Sequence, residues 1–255
     1  MNKQEQLKKQ IARSDEEKAI EDDLLAALNE DEELPLKLCA GGQLDKPAVM
    51  IKDVSFNYPG GKTLFSDVEM RVEATSNARI VLMGENGNGK TTLVNILMGK
   101  LEPTTGIVER ESGARIAVVN QHHADQLDLT LTPLAFLKSK FPGDGSNAQD
   151  LKLRSHLAGC GISAELMMRP GTALSGGQRS RVALAAVSFA RPHVLVMDEP
   201  TNNLDLEAVA ALAECVENFD GGVLLVSHDQ YFVGRVAKEV RSVTPPCSQQ
   251  FLLLM

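Results

Sequence analysis

Five short apolar runs punctuate the chain: Val49-Met50-Ile51, Ile80-Val81-Leu82-Met83, Ile116-Ala117-Val118-Val119, Val194-Leu195-Val196-Met197 and Val223-Leu224-Leu225-Val226. Runs of this length without polar alternation suit strands covered on both faces. Between the last two, Leu206, Val209, Ala210, Ala213 and Val216 recur at helical spacing and mark one apolar helix face. Thr91 to Met98 and Val182 to Ala190 also read as helices. Strands alternating with helices predict an α/β fold with a parallel sheet and crossover helices. The stretch from about 124 to 174 lacks such runs and reads as mainly helical, and no internal repeat appears.

Residues 1–48 have a different texture: no aromatic residue, and 12 acids against 7 bases. Ser14-Asp15-Glu16-Glu17 has the form of a capping box, and Ile20, Leu24, Ala27 and Leu28 follow at helical spacing. The pattern fits a solvated helix ending near Pro35, or a charged tail. Gly41 to Pro47 reads as a linker. Over all 255 residues, 34 acids against 26 bases give a net charge of −8. That balance argues against wrapping nucleic acid by bulk charge, while leaving local basic contacts such as Lys8 and Lys9 open. No run approaches the roughly 20 apolar residues that span a bilayer, and the start lacks the apolar core of a secretory signal. Cys39, Cys160, Cys215 and Cys247 lie too far apart for a zinc motif and read as thiols of a reducing compartment.

The chemistry begins where the second run ends. Gly84-Glu85-Asn86-Gly87-Asn88-Gly89-Lys90-Thr91-Thr92 matches G-x-x-x-x-G-K-[ST], between a strand and a helix. Its glycines let successive amides face phosphate oxygens, and the helix start adds its positive end. Lys90 would neutralise β- and γ-phosphates, and the Thr91 hydroxyl suits Mg²⁺. The fourth run ends in Asp198-Glu199, at the carboxyl edge where parallel sheets gather ligands. Asp198 would hold the metal shell and Glu199 would accept a proton from attacking water. Alone, the pair could equally cap a helix. Leu174-Ser175-Gly176-Gly177-Gln178 precedes the Val182 helix, with Ser175 as N-cap and glycines that expose amides, so it makes a second anion site.

With LSGGQ lying between the phosphate loop and the Asp198-Glu199 strand, the chain resembles the ATP-binding-cassette family. More narrowly it resembles the second cassette of an ABC-F protein, on Asp198-Glu199-Pro200-Thr201-Asn202-Asn203-Leu204-Asp205, and on Gln121-His122-His123 followed by Gln126-Leu127-Asp128-Leu129. The resemblance covers about 49 to 240. It implies a P-loop NTPase fold with a mainly parallel core sheet, an N-terminal antiparallel β part and a helical subdomain at about 124–190 carrying the signature. It also implies a linker at 1–48, a cassette at 49–243 and an atypical tail at 244–255.

Carried over residue by residue, Tyr58 resembles the aromatic that stacks on adenine, although a surface turn residue would look the same. Gln121 resembles the loop glutamine that touches Mg²⁺ and the attacking water, although it could cap a helix. Asp205 matches the acid that links two cassettes, and His228, in Ser227-His228-Asp229, resembles the histidine near the γ-phosphate. His122, His123, His156 and His193 read as ordinary. The resemblance implies ATP and Mg²⁺ as ligands, hydrolysis completed by a second cassette (a second copy or a separate chain), ribosome association, a cytoplasmic location and no insertion into the membrane. Two other readings stand beside it: the nucleotide-binding subunit of a membrane transporter, and a cassette that binds ATP without turning it over. Three features depart from the family. Asn203 stands where ABC-F proteins usually have histidine, one cassette is present where two are normal, and the tail from Thr244 does not resemble the family's closing strands. Asn203 bears on the narrower resemblance, and the single cassette and the tail predict a fragment or an altered reading frame.

Overall fold

The computed structural model describes residues 38–85, 87–120, 127–202, 204, 206–242 and 251–253. The expected N-terminal helix, Asn86, Gln121, His122, His123, Asn203, Asp205 and residues 243–250 lie outside the described residues.

Among the described residues, nine strands form two sheets. β1 (Val49–Asn57), β2 (Thr63–Val72) and β4 (Thr105–Arg110) make a three-stranded sheet ordered β2-β1-β4, antiparallel at both pairings. β3 (Arg79–Met83), β5 (Ile116–Asn120), β6 (Val194–Asp198), β7 (Gly222–Val226), β8 (Glu239–Ser242) and β9 (Phe251–Leu253) make a six-stranded sheet ordered β5-β6-β7-β3-β8-β9. Its pairings are parallel except the last, where Phe251–Leu253 of the tail segment runs antiparallel to β8. The helices among the described residues are α1 (Lys90–Leu97), α2 (Pro133–Lys140), α3 (Asn147–Gly159), α4 (Gly176–Phe189), α5 (Leu206–Glu217) and α6 (Gln230–Val236).

Alternation within the central strands explains their unbroken apolar sequence. Val81, Leu195, Met197, Val223 and Leu225 enter the core shared with the helices α2 to α6. Their neighbours Ile80, Leu82, Val194, Val196, Leu224 and Val226 enter a second core with α1 and the antiparallel sheet. Both faces are therefore covered, and each fully buried Val or Leu contributes about 1.5–3 kcal/mol. The expectation for Val49-Met50-Ile51 is corrected here: these residues belong to the antiparallel sheet, where Val49 and Ile51 are buried and Met50 only half so. The run pattern also passes over β2, β4 and β8. β4 is almost wholly exposed, so burial imposed no apolar run on it. The helical stretch resolves into α2, α3 and two short 3₁₀ turns, Leu166–Met168 and Gly171–Ala173.

Two arginines tie the layers together. Arg79, 2% exposed at the start of β3, donates to the carbonyls of Gly221 (2.5 Å), Val216 (3.4 Å) and Phe219, joining β3 to the end of α5 and the start of β7. Burial holds its guanidinium below its usual pKa, with Asp220 opposing. Arg110 donates from β4 to the carbonyls of Leu97 (3.0 Å) and Ile96 (2.5 Å), closing the end of α1. Upstream of β1, Leu38 and Ala48 are both buried. No helix among the described residues is long and apolar enough to cross a membrane.

Candidate functional site

The order β6-β7-β3 brings three strand ends side by side. Val226 stands level with Leu82 on one side and Asp198 on the other. The segments that leave these ends are the Gly84–Thr92 loop, Asp198-Glu199 and Ser227-His228, so parallel topology delivers three distant pieces of sequence to one edge.

The loop is built on backbone that side chains rarely adopt: φ is 149° at Gly84 and 88° at both Gly87 and Gly89. At Gly89 a Cβ would also approach the Phe65 ring to 3.2 Å. α1 starts on Gly89 with no side-chain cap, so its first amides remain free to face an anion. Lys90 is buried along its stem, and its Nζ donates inside the loop to the carbonyls of Gly84 (2.5 Å) and Glu85 (3.1 Å). Asn88 N–H closes a turn on the Glu85 carbonyl at 3.3 Å.

Opposite the loop, the Thr91 hydroxyl donates to Asp198 Oδ2 at 3.3 Å. Burial pushes the Asp198 carboxyl above its ordinary pKa, while the Thr91 hydroxyl and the Lys90 charge pull it down. Glu199 follows with φ 49°, a left-handed conformation in a residue that precedes proline. It is pinned there: its N–H donates to the Val226 carbonyl at 2.8 Å, and its own carbonyl accepts from Asn202 N–H at 3.3 Å. His228 Nε2 lies 3.6 Å from Glu199 Oε1 and 3.5 Å from Lys90 Nζ. The histidine is held by its neighbours. Buried Ser227 accepts from Asp229 N–H at 3.1 Å, and Asp229 caps α6 by accepting from Phe232 N–H at 3.0 Å.

Tyr58 closes one side of the cleft, which measures about 260 Å³ and is lined by Tyr58, Leu64, Gly87, Gly89, Lys90, Thr91, Thr92, Asp198, Glu199 and Val226. Its ring stands edge-on to Phe56 with centroids 4.9 Å apart, and its hydroxyl lies 3.2 Å from Thr92 Oγ1. With 48% of its surface exposed, the ring offers a face to a flat ligand.

The signature stands apart from this cleft. Ser175 and Gln178 form a full capping box at the start of α4, with Ser175 N–H to Gln178 Oε1 at 3.0 Å and Gln178 N–H to Ser175 Oγ at 3.2 Å. A Cβ added at Gly176 or Gly177 would meet nothing within 4 Å. None of residues 175–178 lines the cleft of their own chain. Asn86, Gln121 and Asp205 lie outside the described residues. Sequence reasoning passed over Leu64, the backbone of Val226 and the anchoring hydroxyl of Ser227. Only Ser227 carried a signal, as the residue before His228. His193 is buried, with Nδ1 accepting from Arg115 N–H at 2.9 Å, in line with a structural role.

The donor set fits a hard cation escorted by phosphate. Thr91 and Asp198 supply oxygen, and among the described residues no group of three or more His, Cys, Asp or Glu could hold a metal ion by itself. A cation here would rest on these two oxygens, the phosphates and water.

Comparison with known proteins agrees with this geometry. The ABC transporter family model matches residues 66–202. An uncharacterized ABC transporter ATP-binding protein of Schizosaccharomyces pombe is 39% identical over 94% of this chain and 28% of its own length. ABC transporter F family member 4 of Dictyostelium discoideum is 43% identical over 77% of this chain and 17% of its own. Protein GCN20 of Saccharomyces cerevisiae is 42% identical over 83% and 27%. The chain thus spans between 17% and 28% of these relatives' lengths. Among solved structures, cbiO1 of Clostridium perfringens, part of an ABC transporter complex, has a TM-score of 0.64 at 22% identity, covering 78% of this chain and 85% of that one. A dimeric ATP-binding cassette in a post-hydrolysis state with ADP and Pi scores 0.60 at 22% identity, covering 81% and 100%. At that identity the structures speak for the fold. The sequence relatives and the family match go further: this chain belongs to the ABC transporter family and is an ATP-binding cassette similar to the family's F members.

Proposed function

We propose that the chain binds MgATP and hydrolyses it to ADP and phosphate, as a cassette of an ABC-F-like protein acting on ribosomes in the cytoplasm. The observation that carries the chemistry is the meeting of Lys90, Asp198, Glu199 and His228 at the adjacent ends of β3, β6 and β7. The amides of Gly84–Thr92 and the Lys90 ammonium would grip the phosphates, and Tyr58 would stack on adenine. Thr91 and Asp198, with Gln121 by resemblance, would hold Mg²⁺, which when bound supplies charge neutralisation. Glu199 takes the proton from the attacking water, and His228 keeps that carboxylate and the γ-phosphate end of Lys90 in register. Positioning and preorganised charge carry most of the acceleration.

Ser175, Gly176, Gly177 and Gln178 are exposed or half-exposed outside their own cleft, which favours their covering the nucleotide of a second cassette, with Asp205 linking the two by resemblance. Phosphate release from purified protein, with and without Mg²⁺, tests the activity. Saturable ATP binding with no release would leave a binding module only. The ribosomal role rests on the resemblance and on the F-family relatives. Co-sedimentation with ribosomes rather than with membranes, dependent on ATP, tests it against service as a transporter subunit.

A further inference from the structure

A second cavity, of about 320 Å³, lies outside the nucleotide cleft and is lined by Cys39, Lys152, Ser155, His156, Gly159 and Cys160. Two of these are thiols brought there by different parts of the fold. Cys39 sits on a strap across the end of α4: its N–H donates to Ser188 Oγ at 2.8 Å, and Gly41 N–H donates to the Pro192 carbonyl at 2.9 Å. Cys160 ends α3, its N–H shared between the carbonyls of His156 and Leu157 at 3.1 and 3.0 Å. Cys39 is half-buried and Cys160 buried, so the first is open to a reagent and the second is shielded from all but the cavity.

Lys152 and His156 complete the lining around the two thiols. The Lys152 side chain forms part of the wall, its Nζ 5.5 Å from the Phe189 ring centroid. His156 Nε2 lies 2.9 Å from the Ala185 carbonyl and 3.8 Å from Cys160 Sγ. A carbonyl only accepts, so Nε2 carries a hydrogen, and that N–H stands beside the sulfur. Cys215, the third described cysteine, is not among the residues lining this cavity; it is buried, and desolvation pushes its pKa up to about 12. A metal is not the occupant indicated, since among the described residues no cluster of three or more ligating side chains is present.

We propose that Cys39 and Cys160 form a thiol-modification site, in which Cys39 reacts with a small disulfide such as glutathione disulfide and Cys160 resolves the adduct into a Cys39–Cys160 bridge. In the first step Cys39 loses its proton to solvent and its sulfur attacks one sulfur of the reagent. A new S–S bond forms, the old one breaks, and one glutathione leaves as thiolate. In the second step deprotonated Cys160 attacks the Cys39 sulfur and expels the other glutathione thiolate. Two protein thiols are oxidised by two electrons and one small disulfide is reduced to two thiols. Both cysteines line this one cavity of about 320 Å³, which is the meeting place the second step requires. The product ties the strap at 38–41 to the end of α3.

The test uses the full chain carrying Cys247→Ser, with glutathione disulfide as probe, followed by intact mass and non-reducing peptide maps. The expected product is a chain lighter by two hydrogens with the Cys39 and Cys160 peptides joined, reversed by dithiothreitol. Cys160→Ser should stop at one glutathione on Cys39. Cys39→Ser, checked for native circular dichroism, should take neither modification. Native Cys215 should alkylate at least about tenfold more slowly than Cys39. Adduct that persists on Cys39 while Cys160 is present, reaction at Cys39 no faster than at Cys215, or bridging that needs denaturant would overturn the proposal.

Discussion

Glu199 holds a left-handed backbone (φ 49°) immediately before Pro200, a combination that local sterics disfavour. What keeps it there is the hydrogen bond from its N–H to the Val226 carbonyl, which also sets its carboxylate 3.6 Å from His228. Glu199→Gln preserves size and backbone and removes only the proton acceptor. It should bind ATP as the parent does and hydrolyse it at least about tenfold more slowly, as single-turnover phosphate release would show. An unchanged rate would take Glu199 out of the chemistry. Asp198 makes a different prediction, through stability. Burial raises its pKa in the folded chain, so the folded state holds that proton more tightly than the unfolded state does. Stability therefore falls as pH rises from about 3.9, the unfolded value, through the raised folded one. Asp198→Asn should move the urea midpoint of nucleotide-free protein upward at neutral pH and lose that advantage below about pH 4. The same variant should lose Mg²⁺-dependent hydrolysis. The identities of these residues were legible in the sequence because phosphate and metal chemistry demand particular side chains at fixed spacing. The strain at Glu199 and the burial of Asp198 were not, since both arise from β7 lying beside β6.

At the level of elements, legibility followed burial. β3, β6 and β7 were readable because each is covered on both faces, so almost every position had to be apolar. β4 and β8 carry mixed sequences with exposed or half-buried positions and show in the structure only through their pairing. Arg79 illustrates what patterning conceals. A charged residue opens a core strand because three carbonyls, of Val216, Phe219 and Gly221, converge on its guanidinium. Val216 keeps a second donor in the Phe219 N–H (3.2 Å), but Arg79→Ala would take the guanidinium from the Phe219 and Gly221 carbonyls, at a cost of about 2–4 kcal/mol. The urea midpoint should drop with the slope unchanged, which is the mark of lost stability rather than of an altered denatured state. A midpoint within error of the parent would mean that water replaces the guanidinium freely.

For the whole molecule, the decisive fact is that the loop and the signature, both proposed to bind phosphate, do not line one cleft in a single copy. The phosphate loop faces the cleft with Asp198 and Glu199, while the capped start of α4 exposes Ser175 and Gly176 away from it. If both serve one nucleotide, they must come from different cassettes, and two damaged copies should then repair each other. Lys90→Ala disables a loop but leaves its signature intact. Gly176→Arg blocks a signature at a position where an added Cβ meets nothing within 4 Å and which contributes no side chain to the Ser175–Gln178 capping box. Each variant alone should be nearly inactive. Mixed, they should regain activity, because a loop from the Gly176→Arg copy can meet a signature from the Lys90→Ala copy, whereas the reverse pairing fails twice. Recovery should rise with protein concentration faster than linearly, as two-body assembly requires. Were the mixture no more active than its parts while the parent hydrolyses ATP, this cassette would be completing its site without a second copy of itself, and the partner would have to be sought on another chain.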